Sequence, residues 1–344
     1  MTKIRRLKLT DIKKIRELIE YVEPATDSGN FSEEDFILFP FDALHNHLPL
    51  NMRFLQECYV AVENKKVLGL IALIPDGKQK IRWKINRLIL NVNASEIGKQ
   101  LVDYVVNKYG GEGVETFITT IDEKYPEAIA LLKNGCGFRS CNQINIWEQE
   151  DLESAANFDD FKLLREVKSS DAANIQELDS QCLFPHFRTS LAKSESDFKF
   201  NFKNDIINFL RNYKVKRMVL ENPAKKAIEG YVLLMSEDNR NFWADIILSL
   251  PYQEYYEDIL NYISGYVSEQ NKNAKLHVYA RKYYQNSKRL SEILVNLNFK
   301  QTQNFQVLVK DYWKTTKTPS GNKSPIIIFP DITSPACNIV KVRK

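Results

Sequence analysis

Few side chains in this sequence have the type and spacing that metal or nucleophilic chemistry requires. The four histidines are His45, His47, His186 and His277, and only the first two lie close together. An H-x-H pair can bind a metal on a strand, but a loop or packing role fits this pair better. The five cysteines form an odd set without C-x-x-C spacing, which predicts reduced thiols and neither a disulfide framework nor a zinc site.

One segment has residues small enough for the main chain to approach a bound anion closely. It reads LNVNASEIGKQL over residues 90–101, with small residues ahead of Gly98 and Lys99. A helix N-terminus offers backbone N–H groups and a dipole that favour a phosphate. Glu96 opposes such a ligand because it places a negative charge nearby. The small residues thus leave close approach of an anion to this helix start sterically possible, with one charge acting against it.

The elements that position this segment occur twice, because the opening pattern of the chain is repeated in its second half. Residues 4–15 read IRRLKLTDIKKI and residues 164–175 read LREVKSSDAANI, with basic and acidic residues in register. Each segment predicts a short strand and then a turn at Thr-Asp or Ser-Asp, whose side-chain oxygens suit a helix N-cap. The matched charged positions are Arg5, Asp11, Arg165 and Asp171.

Both halves continue in the same way after this opening. Residues 59–74 and 217–235 each predict a hairpin whose second strand begins near a glycine, Gly69 or Gly230. Two further strand-then-helix patterns and a last strand follow. The predicted order in each half is β-α, hairpin, β-α, β-α, β, which is an α/β (α+β) arrangement.

The length of 344 residues also favours two domains. The stretch QEDLESAANFDD is acidic and polar, which predicts an exposed linker between them. A proline-rich ending predicts an extended tail, in which IIIF over residues 326–329 docks as an edge strand, lies on an apolar groove or stays in solvent. The predicted divisions are 1–148 and 161–313 for the two domains, 149–160 for the linker and 314–344 for the tail.

Composition excludes several classes of protein. Hydrophobic residues make up 44% and charged residues 27%, which is typical of a soluble globular protein. A formal net charge of only +4 argues against a nucleic-acid partner. The N-terminus lacks the apolar run of a signal peptide, and no apolar stretch is long enough to span a bilayer. We therefore expect a cytoplasmic protein without a membrane or nucleic-acid partner.

The order of elements, together with the turn GCGFRS at 135–140, resembles the GNAT superfamily of acyl-CoA-dependent N-acyltransferases. The resemblance covers residues 3–148 and 161–312, so two tandem GNAT-like domains are expected, each with a mixed, mainly antiparallel sheet flanked by helices. Members commonly end their last helix with a Gly-Phe pair, here Gly137-Phe138. The second half has Asn298 before its phenylalanine, and asparagine tolerates the left-handed backbone next best after glycine.

The resemblance implies a binding site for acetyl-CoA, or another acyl-CoA, after the fourth strand. Members carry an R-G-x-G-x-G/A loop there, and the first half lacks its arginine and first two glycines. The matching stretch of the second half, 248–260, is acidic and has no glycine, so it predicts only a helix start. The cofactor-binding positions implied in the first half are Leu90, Asn91, Val92, Ala94, Ser95, Ile97, Gly98 and Lys99.

The resemblance also implies direct acyl transfer from the coenzyme thioester to an amine, with backbone amides near Leu90 polarising the carbonyl. Tyr125 is the candidate acid, although packing also explains it, and Glu57 is the candidate base. The residues that could line the acceptor pocket are Phe36, Phe39, Phe41 and His45, which would look the same in a core cap or an interface between halves.

The sequence thus favours an N-acyltransferase, most simply an N-acetyltransferase, whose N-terminal domain is active on a small-molecule amine or a peptide N-terminus. A non-catalytic tandem GNAT-fold scaffold or ligand-binding protein is the alternative, because a fold alone does not confer an activity.

Overall fold

The computed structural model describes residues 2–20, 56–77, 81–91, 95–150, 152, 163–199, 214–222, 224 and 227–312. The described strands are β1 Lys3–Arg6, β2 Glu57–Glu63, β3 Lys66–Pro75, β4 Arg82–Leu90, β5 Thr116–Asp122, β6 Arg139–Gln149, β7 Leu164–Glu166, β8 Lys214–Asn222, β9 Ala227–Ser236, β10 Asn241–Leu248, β11 Lys275–Arg281 and β12 Lys300–Asp311. The described α-helices are α1 Ile12–Glu20, α2 Ser95–Gly111, α3 Pro126–Ala130, α4 Ala172–Cys182, α5 Arg188–Leu191, α6 Glu195–Phe198, α7 Tyr256–Gln270 and α8 Ser287–Asn296. A π-turn, Leu131–Gly135, continues α3.

All twelve strands form one sheet in the order β1-β2-β3-β4-β5-β12-β6-β11-β10-β9-β8-β7. Among the described strands, only the β4–β5 and β10–β11 pairs are parallel, so the predicted class, a mixed and mainly antiparallel sheet flanked by helices, is confirmed. The structure adds that the two predicted sheets are continuous with each other.

The continuity arises because the two halves exchange their last strands. β12, from the second half, pairs with β5 of the first half, and β6, from the first half, pairs with β11 of the second. β6 and β12 also pair with each other at the centre. Each half therefore lacks a strand that the other supplies, a feature that hydrophobic periodicity does not report.

The predicted boundary between domains lies mostly outside the described residues. Leu152, inside the predicted exposed linker, is fully buried in the core of the second half. An apolar side chain in a polar segment anchors the chain there because its burial removes apolar surface from water. The division of the chain at 149–160 stays a prediction, as does the tail, whose residues 314–344 fall outside the described part.

Helices cover both faces of the sheet. On one face, α2 packs on the first half with side chains such as Leu101 and Val105, and α7 packs on the second half with Ile259 and Ile263. On the opposite face, α1 covers the first half, and α4 to α6 cover the second half. This layering follows from strands whose alternate residues point to opposite faces.

The repeated opening has the same contact in both halves. The Arg5 guanidinium donates to both Asp11 carboxylate oxygens at 2.6 and 2.8 Å, and the Arg165 guanidinium does the same to Asp171 at 2.7 and 3.2 Å. Each carboxylate also accepts a backbone N–H three residues earlier. The aspartates thus fix the turn between strand and helix, but as the third residue of a 3-10 turn and not through the N-cap hydrogen bond that the sequence suggested.

The aromatic-tipped turns after α3 and α8 are also equivalent. Gly137 has φ +72° and Asn298 has φ +62°, so asparagine adopts the left-handed backbone predicted for it. In the second half, the Phe299 N–H donates to the Leu294 carbonyl, which closes a Schellman turn. In the first half, the Phe138 N–H reaches back one residue further, to Leu132, because the helix ends in a π-turn.

Candidate functional site

The parallel strands β4 and β5 separate soon after they begin. They pair only from Arg82 with Thr116 to Lys84 with Ile118. β4 continues to Leu90 and β5 to Asp122, but no further residues of the two fully described strands pair. The strands therefore leave a gap in the sheet of the first half that widens toward their carboxyl ends.

A β-bulge lies where this gap opens. In the β3–β4 ladder, Ala72 pairs with Arg87 and Leu73 pairs with Ile85, so Asn86 is an extra residue on β4. The Asn86 side-chain amide donates to the Gln56 side-chain oxygen at 3.0 Å. A bulge bends and twists the strand that carries it, and such bulges occur often beside active sites. The matching β9–β10 ladder of the second half has an unbroken register.

The last residues of β4 present their amides alternately to β3 and to the gap. The Asn91 N–H donates to the Leu68 carbonyl of β3 at 2.9 Å. Because neighbouring amides on a strand point in opposite directions, the Leu90 N–H faces the side from which β5 has moved away. Of the three amides predicted to polarise a carbonyl, Leu90 thus faces the gap and Asn91 does not. Val92 lies outside the described residues.

The first turn of helix α2 packs against residues on both sides of the gap. A Cβ atom at Gly98 would lie 2.7 Å from side-chain carbons of both Leu90 and Leu131. The glycine is therefore needed for close packing of α2 against β4 and the π-turn. This packing role is additional to the phosphate approach that the sequence suggested, which stays a prediction.

The other cofactor-binding predictions surround this contact. Ile97 is half-buried, whereas Lys99 and Glu96 are exposed. Ser95 is the first residue of α2, and Ala94 lies outside the described residues. The structure therefore brings a basic and an acidic side chain together at the start of this helix, and the predicted phosphate site remains a prediction.

Tyr125 lies at the opposite lip of the gap. It directly precedes α3, its N–H donates to the Asp122 carbonyl at the end of β5, and its half-buried ring packs against the α2 side of the core. The Lys124 ammonium lies 4.9 Å from the centre of the ring. The tyrosine is thus placed beside the gap, and its role as an acid remains a prediction.

Glu57 lies away from the gap. It is the first residue of β2, two strands from β4, and is only 4% exposed. Its carboxylate forms an ion pair with Arg6 at 3.3 Å, and beside it the hydroxyls of Tyr59 and Tyr109 hydrogen-bond at 2.8 Å. The structure does not bring Glu57 and Tyr125 to one site, because the strand order separates them. The predicted acceptor residues Phe36, Phe39, Phe41 and His45 lie outside the described residues.

The second half closes the equivalent region with a longer ladder. β10 and β11 pair over five residues, from Asn241 with Lys275 to Asp245 with Tyr279. The Arg281 guanidinium, at the end of β11, then forms an ion pair with the buried Asp245 carboxylate on β10. Burial raises the pKa of Asp245, but the positive charges of Arg281 and Lys193 outweigh it, so the pKa is lower than usual. The pair therefore remains ionised and ties the two strands together.

A tyrosine fills the remaining space. Leu101 in α2 and Ile259 in α7 are buried at equivalent positions of the two halves. Three residues before each of them, the first half has Gly98 and the second half has Tyr256. Tyr256 is 1% exposed, and its hydroxyl is hydrogen-bonded to the Leu248 backbone and to the Asn286 side chain.

The end of β10 has further polar partners. The Asn286 amide donates to the Leu248 carbonyl at 2.6 Å, and the Cys182 thiol donates to the same oxygen at 3.1 Å. Leu248 matches Leu90, because each pairs with the repeated glycine, Gly230 or Gly69. Backbone groups that face the gap in the first half are therefore bound by side chains in the second half.

Several of these residues are not evident from sequence. The bulge at Asn86, the Asp245–Arg281 pair and the plug at Tyr256 depend on strand register and on contacts across the sheet. One sequence feature does indicate Tyr256. When the two halves are aligned on the apolar positions of their helices, this tyrosine stands where the first half has a glycine.

The described residues give no sign of metal or thiol chemistry. They contain no group of three potential metal ligands close together. Burial raises the pKa of the Cys136 thiol to about 11, so it is protonated near neutral pH, as expected for a packing role. Within the described part of the chain, no helix has the length and apolar character that crossing a membrane requires.

Comparison with known proteins identifies the fold through structure alone. No protein-family model matches the chain, and no curated protein matches it. A tandem GNAT protein from the clavulanic acid biosynthesis pathway is similar with a TM-score of 0.54 and 11% identity, over 92% of this chain and 100% of that one. A GCN5-related N-acetyltransferase from Sphaerobacter thermophilus is similar with a TM-score of 0.58 and 10% identity, over 90% and 96% of the two chains.

Proposed function

Since the chain has the tandem GNAT fold, we propose that its N-terminal half transfers an acyl group, most simply acetyl, from acyl-CoA to an amine. The observation that carries this proposal is the unequal separation of the central parallel strands. β4 and β5 part after three paired residues beside a bulge, whereas β10 and β11 stay paired for five and are then joined by Asp245 and Arg281.

The residues at the gap fit the thioester end of such a co-substrate. The separated strands leave room for an extended arm, and the Leu90 N–H points into that room, where it can donate to a carbonyl oxygen. Lys99 is exposed near the start of α2 and adds a positive charge beside the helix N-terminus, which suits a diphosphate. When bound, acyl-CoA supplies an activated acyl group that an amine can attack directly.

The chain's own groups have two further tasks in this reaction. The amine must lose a proton as its nitrogen bonds to the acyl carbon, and the sulfur must gain one as the C–S bond breaks. Tyr125 is placed beside the gap and is the proposed donor of the second proton. Glu57 is buried against Arg6, so we do not assign it the first task. The acceptor is proposed to be a small amine or a peptide N-terminus.

The non-catalytic alternative is favoured by a different observation. The second half keeps the fold while Tyr256 and Asn286 fill its site, so one half has plainly retained the scaffold without an open gap. In a purely structural protein, the gap of the first half would bind no coenzyme.

Titration with acetyl-CoA separates the enzyme from a purely structural scaffold, and release of coenzyme A in the presence of an amine separates it from a protein that only binds the ligand. We expect binding to the full chain by isothermal titration calorimetry, with a stoichiometry of one because only the first half has the gap. A thermal shift should confirm it, since a ligand that binds only the folded state raises the melting temperature. Absence of binding at millimolar acetyl-CoA would sink the enzyme proposal, and a stoichiometry of two would contradict the closed second half.

A further inference from the structure

The gap between β4 and β5 begins at one buried hydroxyl group. Thr119 is fully buried on β5, and its hydroxyl donates to the Ile85 carbonyl of β4 at 3.1 Å. These are the first two residues beyond the last paired positions, Lys84 and Ile118. The side-chain hydrogen bond thus lies where the ladder stops.

The second half has a different residue at this place. Counting three residues from the first pair of each parallel ladder, Ile85 and Thr119 correspond to Ala244 and Val278. Valine has nearly the shape of threonine but no hydroxyl group. There, Ala244 and Val278 pair through the backbone, and the ladder continues to Asp245 and Tyr279.

The chemical reason for this difference is the need to satisfy a buried carbonyl. In a parallel ladder, a carbonyl such as that of Ile85 accepts a hydrogen bond from the backbone of the next strand. A buried carbonyl that loses this donor destabilises the fold unless another donor replaces it. The Thr119 hydroxyl is such a donor, and it reaches the carbonyl without requiring the two backbones to pair.

We propose that the Thr119 hydroxyl is the device that ends the β4–β5 ladder and so holds the gap open for the acyl-CoA arm. The inference rests on the proposed function for its ligand. Thr119 is a positioning residue, because it acts through Ile85 and the course of β4. The bulge at Asn86 directly follows the carbonyl that Thr119 binds, so the bend and the hydrogen bond act on the same stretch of strand.

The test uses three variants of the full chain. Thr119→Val removes the hydroxyl at nearly constant volume and reproduces the residue of the second half. Thr119→Ser keeps the hydroxyl. Thr120→Val is the matched control, because Thr120 is the half-buried neighbour whose side chain points to the opposite face of β5.

Hydrogen exchange of the amides in residues 86–90 measures the gap without any ligand. We expect slower exchange in Thr119→Val, because the strands pair further, and wild-type exchange in Thr119→Ser and Thr120→Val. A merely structural role would predict the reverse, since loss of a buried hydrogen bond loosens the site. Unchanged or faster exchange in Thr119→Val would overturn the inference, whether or not the protein binds acetyl-CoA.

Affinity for acetyl-CoA is the second measurement. We expect the dissociation constant of Thr119→Val to rise about tenfold or more, with Thr119→Ser and Thr120→Val within about threefold of wild type. If Thr119→Val binds as tightly as wild type, the hydroxyl does not hold the gap open. If wild type does not bind, the proposed function fails, but the exchange measurement still tests the role of Thr119.

Discussion

Tyr256 occupies in the second half the helix position that Gly98 occupies in the first. Because Gly98 has no side chain, the side chains of Leu90 and Leu131 lie closer to its backbone than a Cβ atom would allow. The tyrosine instead fills the mouth of its own half and binds the end of β10 through its hydroxyl. Two repeats with one backbone plan therefore present one open and one closed site.

Removing the Tyr256 hydroxyl should affect stability and leave coenzyme binding unchanged. Tyr256→Phe loses hydrogen bonds to Leu248 and Asn286, and unpaired buried groups of this kind cost about 1–3 kcal/mol. Urea unfolding should show this loss, while calorimetry shows the wild-type affinity for acetyl-CoA. A large fall in affinity would mean that the second half takes part in binding.

Removing the Tyr125 hydroxyl should lower the rate of acetyl transfer. Tyr125→Phe keeps the half-buried ring and its packing, so the variant should stay folded and unfold cooperatively in urea. We expect kcat for acetyl transfer to fall about 10²-fold or more, with little change in acetyl-CoA affinity, because general acid catalysis contributes on that scale. Wild-type kcat in this variant would exclude the tyrosine as the acid.

Charge reversal on α2 and α7 tests which helix start faces the coenzyme. Lys99 and Glu257 are exposed and occupy matching positions, one residue after Gly98 and Tyr256. Lys99→Glu should weaken acetyl-CoA binding about three- to tenfold at low salt, and less at high salt because the interaction is screened.

Glu257→Lys is the control for that charge change. It adds a positive charge at the closed site and should leave the affinity unchanged. Equal effects from the two variants would show only a response to net charge and would remove Lys99 from the proposed site.

The exchange of β6 and β12 predicts that neither half folds alone. A fragment of residues 1–150 lacks β12, which pairs with β5 over seven residues, so β5 would become an exposed edge prone to aggregation. We expect this fragment to aggregate or to unfold without cooperativity by circular dichroism.

Co-expression of residues 1–152 and 153–344 should instead give a stable heterodimer on size-exclusion chromatography. The two fragments together supply every strand of the sheet. A cooperative, monomeric fragment 1–150 would contradict the idea that the halves complete each other.

The free energy of unfolding should fall at acid pH, and Asp11 in the first half and Asp171 in the second should both contribute to this loss. Burial raises the pKa of each carboxyl, but hydrogen bonds from Arg5 or Arg165 and from the backbone outweigh it, so each pKa lies below its usual value. The stability from such a group is present above the unfolded pKa of about 3.9 and is lost as the pH falls through the folded pKa.

The matched variants Asp11→Asn and Asp171→Asn should each flatten this acid loss. Urea midpoints measured from pH 6 to pH 2 should show a smaller decrease than in wild type, together with lower stability at pH 6. An unaltered pH profile in both variants would mean that these carboxylates have ordinary pKa values in the folded protein.

The repeated order of strands and helices can be predicted from the sequence. Local signals carry this information: the Arg5–Asp11 spacing specifies a turn within six residues, and an asparagine before Phe299 specifies a left-handed backbone. The segment 90–101 was also correctly placed at the end of a strand and the start of a helix. Such features depend on neighbours along the chain, so they can be read from it.

Which half has an open gap, and how the halves are joined, depends on contacts that form only in the folded chain. Strand exchange requires β5 to prefer β12, almost 200 residues away, over β6, and both choices satisfy the same hydrophobic pattern. The sequence position of Gly98 predicts a phosphate approach, which stays a prediction, and its contacts with Leu90 and Leu131 add a packing role that the sequence does not indicate. The β4–β5 ladder ends at the Thr119 hydroxyl, and the β10–β11 ladder is continued by the ion pair of Arg281. Both features depend on contacts between strands, so the hydrophobic periodicity of a single strand cannot predict them.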